Sequence, residues 1–236
     1  MKIAKLTLLF AAVFTSMAAS AQTVDDIVGK HLDAMGGKDK IAAVKSVTIT
    51  STIQVMGADN PSSSVLLNGV GYKSESEING SKIVQCYNAK SGWTINPFTG
   101  GSGPEAMPDN QYQAGRYQIY AGGALMDYAS KGYKAELLAK DGNNYKIKLI
   151  SPGNVESTYF IDGTTYLISK VITKGDMQGQ PVDITTTLSD YRKGDAGLMS
   201  PYKIDVDLGQ FQLAYVVKTI ELNKDVDPTV FDMPAK

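Results

Sequence analysis

The sequence predicts a mostly β protein whose strands run as an antiparallel meander, and three observations carry that expectation. From Val44 onward, runs rich in Val, Ile, Thr and Tyr alternate apolar with polar residues, the two-residue period of strands with one dry and one wet face. Turn formers such as Asp141-Gly142, Asp162-Gly163, the Gly175 to Gly179 stretch and Leu208-Gly209 mark tight reversals between successive runs. Helical periodicity is confined to two short segments.

The first 21 residues read as a signal peptide. Lys2 and Lys5 precede the apolar run Leu6 to Val13, and Ala19-Ser20-Ala21 supplies an A-x-A cleavage site, so cleavage after Ala21 leaves a chain starting at Gln22. The apolar run is shorter than the roughly 20 residues that cross a bilayer, and no later stretch is apolar enough to do so. The chain is therefore expected outside the inner membrane and not spanning it. Its only cysteine, Cys86, lies far from the cut, so a lipidated N-terminus is not expected.

One helix opens the remainder. Thr23 suits the N-cap, Asp26 stands where a capping-box partner belongs, and Asp25 and Asp26 complement the positive end of the helix dipole. Ile27, Val28, His31, Leu32 and Met35 recur near helical spacing, and Gly36-Gly37 offers a left-handed stop, which gives a helix from Val24 to Met35.

About eleven strands follow, beginning near Val47, Ser63, Lys82, Gly92, Tyr133, Tyr145, Val155, Tyr166, Val182, Tyr202 and Phe211. Between Asn96 and Pro108, Pro97, Gly100, Gly101, Gly103 and Pro104 exclude helix and central strand, and the segment reads as a long loop. Ile119 to Ser130 reads as a short covering helix or an irregular segment. Residues 22–236 are expected to form a single domain, since no period of 20 to 50 residues repeats. An apolar sheet face with so little helix to cover it requires a strongly curved or barrel-like sheet plugged by the helices, or a sandwich. A widely curved sheet would enclose an apolar cavity.

Composition excludes several function classes. The chain carries 23 basic and 24 acidic residues, and losing Lys2 and Lys5 makes it more acidic, which disfavours nucleic acid and anionic membrane surfaces. Cys86, alone, cannot form an internal disulfide and reads as a small buried hydrophobe. His31 is the only histidine, so paired-histidine metal sites are excluded, and a Ser-His or Cys-His couple would have to recruit it from the first helix. Gly100-Gly101-Ser102-Gly103 lacks the Lys-Ser/Thr of a phosphate loop, and Asp205 and Asp207 read as the solvated face of a strand. No catalytic residue, metal or cofactor is expected. The aromatic and apolar residues that invite a binding role are Trp93, Phe98, Leu125, Met126 and Tyr128, each of which core packing would also explain.

The tail from Leu222 to Pro234, an Asn-containing strand end leading into Asp227-Pro228-Thr229-Val230-Phe231 and a further Pro, resembles the C-terminal signature of periplasmic outer-membrane lipoprotein-sorting proteins, the LolA-like carriers. His31-Leu32-Asp33-Ala34-Met35-Gly36-Gly37, Gly92-Trp93, Phe160-Ile161-Asp162-Gly163 and Ser189-Asp190-Tyr191-Arg192, followed by Gly197 and Ser200-Pro201, are similar to segments of divergent members of that family. The resemblance implies an unclosed antiparallel β-barrel of about eleven strands covered by helices. It implies a non-catalytic periplasmic carrier whose cavity holds acyl chains of lipoproteins or other lipids, served by an envelope membrane protein as donor or acceptor. It also implies an arginine that controls opening, although Arg116 and Arg192, the only arginines, lie in no matching context. The alternative expectation is an envelope interaction or sensor module with a filled core.

Overall fold

In the computed structural model, which describes residues 22–235 apart from 102, 178, 179 and 210, one open antiparallel sheet of thirteen strands makes up most of the chain. The leader expected over residues 1–21 lies outside the described residues. The helix α1 (Val24–Ala34) forms as its caps dictate: Thr23 accepts from the Asp26 N–H at 3.1 Å while Asp26 accepts from the Thr23 N–H at 3.0 Å. Met35 caps it, and Gly37 precedes the short helix α2 (Lys38–Ala42).

From there β1 (Ser46–Val55), β2 (Ala58–Leu67), β3 (Gly71–Ile78), β4 (Ser81–Asn88), β5 (Gly92–Ile95) and β6 (Glu105–Ala106) step outward to one edge of the sheet. The chain then crosses to the opposite edge. There β7 (Lys134–Asp141), β8 (Asn144–Ile150), β9 (Glu156–Asp162), β10 (Ile168–Met177), β11 (Gln180–Lys193), β12 (Met199–Asp207) and β13 (Gln212–Leu222) step back until β13 pairs with β1. Because β6 and β7 are the two edges, residues 107–133 must traverse the opening between them. This crossover contains α3 (Asp109–Gly115), a 3-10 turn over Arg116–Ile119, and consecutive turns through residue 132.

Its contacts join the two halves of the sheet. A Cβ on Gly115 would fall 2.3 Å from the ring of Tyr87 in β4, and one on Gly153, in the β8–β9 turn, would fall 2.8 Å from Cβ of Gln113 in α3. Helix α3 thus touches structures from both ends of an open sheet, which holds that sheet curled. The concave face of β8 and β9 is filled: Tyr145, Ile147, Leu149 and Ile161 pack with Ile27, Val28 and Leu32 of α1 and with Leu125 and Met126 of the crossover. A second cluster on the other face of the sheet joins Val84, Cys86 and Trp93 to Phe231 of the tail.

The structure corrects the element count from about eleven to thirteen. All eleven expected strands form, and β3 and β6 are additional; β6 lies inside the stretch expected to be loop throughout. The segment Ile119 to Ser130 is a run of turns rather than a helix, with Gly123 at φ +60°. Pro61 sits within β2, but β2 pairs with β3 only from Ser62 onward, so the proline occupies a stretch that is an edge of the sheet.

Candidate functional site

A cavity of about 670 Å³ lies between the concave face of β1–β4, β12 and β13 and a cover made by α1, α2 and the crossover. The cover contributes His31, Leu32, Met35, Ile41 and Val44 on one side and Gln118, Ala121 and Gly122 on the other. Both parts are tied to the sheet at the β2–β3 turn. Asn68, in the β2–β3 turn, donates from Nδ2 to the Val44 carbonyl at 2.9 Å and accepts at Oδ1 from the Ala121 N–H at 3.1 Å, while the Gly69 N–H donates to the Ile119 carbonyl at 2.7 Å.

Strand alternation decides which side chains reach the cavity, and register decides how they are grouped. One row across the sheet reads Gln85, Ser74, Ser64, Ile49 and Ile220 on β4, β3, β2, β1 and β13. The neighbouring row reads Ile83, Ser76, Ser62, Ser51 and Val217. The first row passes from polar on β2–β4 to apolar on β1 and β13, and the second carries serines on β1–β3 between Ile83 on β4 and Val217 on β13. The more apolar wall continues through Val47, Tyr202, Ile204, Val206 and Leu222, so the cavity has a serine-rich side and a mainly apolar side.

The polar side is internally bonded. Ser76 Oγ donates to Ser62 Oγ at 2.9 Å, Ser62 Oγ donates to the Glu75 carbonyl at 3.2 Å, and the Tyr72 hydroxyl is hydrogen-bonded to Ser64 and Ser74. Burial pushes the Tyr72 phenol above its ordinary pKa, against those two serines. Among the described residues, no lysine or arginine lines the cavity; Asp195 is the one carboxylate on its wall. His31 is buried, and its Nδ1 donates to the Tyr166 carbonyl at 2.9 Å. Burial holds its imidazole below the ordinary pKa, with that hydrogen bond opposing the shift, so the ring is neutral at pH 7.

None of the five residues expected to bind ligand is on the wall of this cavity. Trp93 shares its side of the sheet with Cys86 and lies across the sheet from the cavity, where its Nε1 donates to the Phe231 carbonyl at 3.0 Å. Phe98 stands in an exposed 3-10 turn. Leu125 and Met126 are consumed by packing against α1, and the Tyr128 hydroxyl donates to Asp25 Oδ1 at 2.6 Å. The last three do fasten the cover over the sheet. Neither arginine lines the cavity: Arg116 bonds Gln113 and lies over Tyr112 and Tyr117, while Arg192 pairs with Asp190. Cys86 is buried, which pushes its thiol up to about 12 and leaves it unreactive. Among the described residues, no group of three or more His, Cys, Asp and Glu could hold a metal ion, and no helix is long and apolar enough to cross a membrane.

The residues that sequence reasoning missed are the serines of β1–β3. Their signal was present as Ser62 with Ser64 and Ser74 with Ser76, each pair two apart and therefore on one face of its strand.

The same architecture occurs in solved structures of low sequence identity. A LolA superfamily protein from Nitrosomonas europaea matches with a TM-score of 0.58 at 12% identity, over 90% of this chain and 98% of its own. A putative outer membrane lipoprotein-sorting protein domain from Vibrio parahaemolyticus matches with a TM-score of 0.55 at 11% identity, over 89% of this chain and 97% of its own. A DUF1329 family protein from Desulfovibrio piger matches with a TM-score of 0.53 at 12% identity, again over 89% and 97%. No family model and no curated protein sequence matches the chain. The chain has the LolA-like fold: mostly β, one unclosed antiparallel sheet and few helices.

Proposed function

We propose that this protein is a carrier or binding protein for lipids or the acyl chains of lipoproteins, working in the periplasm after removal of a leader at Ala21. The observation that carries this reading is the cavity. At about 670 Å³ it falls within the roughly 300–1,000 Å³ of small-molecule sites, and apolar side chains such as Leu32, Met35, Ile41, Ile204, Val206 and Val217 predominate on its α1–α2 and β12–β13 sides. Burying an acyl chain there gains roughly 25 cal/mol per Å² of apolar surface before the cost of ordering, and requires no covalent step. The fold shared with a lipoprotein-sorting domain supports the same ligand class. Export rests on the charged, apolar and small-residue segments of the leader.

The competing reading, an interaction or sensor module, predicts a core filled by its own side chains, and the open cavity argues against it. Native mass spectrometry of protein purified without detergent tests the proposal. The expected result is a chain beginning at Gln22 carrying a lipid adduct, or one that takes up added lipid stoichiometrically. A chain that neither retains nor takes up lipid would overturn it.

A further inference from the structure

Taking the cavity as a lipid site, we infer that its ligand is a neutral amphiphile, with an uncharged head bearing hydroxyl or ester oxygens held against β1–β4 and its tail along β12–β13. The argument begins with what a purely hydrocarbon ligand would meet. Ser51, Ser62, Ser64, Ser74, Ser76 and Gln85 form two adjacent cross-strand rows facing the cavity. The single donors of Ser51, Ser62 and Ser76 go to the Ser62 carbonyl, the Glu75 carbonyl and Ser62 Oγ, so these hydroxyls still offer acceptor lone pairs, while the Gln85 amide offers donors and an acceptor. Pressing a methylene chain on such a surface desolvates polar groups without replacing their partners, which costs about 1–3 kcal/mol for each group left unsatisfied. A head with hydroxyl groups donates to those serine lone pairs, and its hydroxyl or ester oxygens accept from the Gln85 amide.

Charge narrows the class. An anionic head inside the cavity would need a cation beside it, because a buried, unpaired charge is strongly disfavoured. Lys73 and Lys82 belong to the neighbouring strands β3 and β4, but both pair with Glu75, at 2.8 and 3.1 Å, and neither lines the cavity. Among the described residues the one charge on the wall is the carboxylate of Asp195, and His31 is neutral, so no group on the wall balances an anionic head. Phosphate and carboxylate heads are thereby disfavoured against glycerol-like or ester-linked ones.

The test is competition against a fluorescent acyl probe on delipidated protein, using three ligands with the same palmitoyl-length tail: a monoacylglycerol, the fatty acid above its carboxyl range, and the alkyl phosphate. Monoacylglycerol is expected to displace the probe at least about tenfold more tightly than either anion. The double variant Ser62→Ala, Ser76→Ala removes both members of a mutually bonded pair, so it is tolerated by the fold, and it should cut monoacylglycerol affinity about fivefold to tenfold while leaving the fatty acid unchanged. Gln85→Leu, at an exposed side chain, should act in the same direction. Anions binding as tightly as the monoacylglycerol, or variants that weaken all three ligands equally, would overturn the inference and leave the carrier reading standing. Failure of the wild-type protein to bind the probe or any of the three would instead overturn the carrier reading, and this inference with it.

Discussion

The side-chain amide of Asn68 joins the sheet to its cover by accepting from the backbone N–H of Ala121 at 3.1 Å. The same amide donates to the Val44 carbonyl at the end of α2, so one residue in a turn restrains both parts of the cover. Asn68→Ala leaves a half-buried donor and acceptor without these partners and should cost about 1–3 kcal/mol. Hydrogen exchange at residues 118–122 should accelerate, and bound lipid should dissociate faster. Unchanged exchange in this segment would show that the cover is held elsewhere.

Acid should loosen the other part of the cover. His31 is buried in α1, and burial keeps its folded-state pKa below the ordinary 6.5. As pH falls through about 6.5 the unfolded chain takes up the proton first, so the stability that neutral His31 contributes is complete above that pH and is lost as pH drops towards the folded-state value. Denaturant midpoints measured across this window should fall with pH in the wild type and fall less in His31→Gln. Equal slopes in both proteins would remove His31 as the cause.

On the other side of the sheet, Gly71 is a packing requirement. A Cβ there would lie 2.3 Å from Cγ of Phe231, whose ring fills the cluster with Trp93 and Cys86. Gly71→Ala should therefore destabilise by about 1–3 kcal/mol through overpacking. In a Phe231→Ala background, itself costing about 3–5 kcal/mol, the same substitution should be nearly neutral, because the clashing ring is gone. Additive losses would contradict the contact.

Trp93, the only tryptophan, reports on that tail and not on the ligand. Its emission should stay constant while lipid saturates the cavity. Trp93→Phe should cost about 1 kcal/mol through the lost bond to the Phe231 carbonyl and leave lipid affinity unchanged. An emission shift that tracks saturation would place the ligand elsewhere.

What the sequence made legible follows from how each element is encoded. The capping box of α1 and the alternation of β8 and β12 are local patterns, and those elements form where expected. Strand β3 was missed because Lys73, Glu75 and Glu77 alternate with Ser74 and Ser76, so neither face gives the apolar signal that marks a strand. The serines that obscure β3 are the ones that line the cavity, which made the site the least visible part of the fold. Trp93 shows a second limit: a two-residue period says that faces alternate, but not which of them will be concave. That assignment depends on the crossover from β6 to β7, whose α3 and successive turns carry no extended periodicity.

The central claim, that the cavity holds an acyl chain, is tested most directly by titrating delipidated wild-type protein and Ile49→Trp with a fluorescent acyl probe. Ile49 lies half-buried on the cavity wall, so the larger ring fills open space rather than a packed core. The account predicts saturable binding by the wild type and at least about tenfold weaker binding by the variant, with thermal stability retained. Wild-type protein that does not bind, or a blocked cavity that binds equally well, would contradict it.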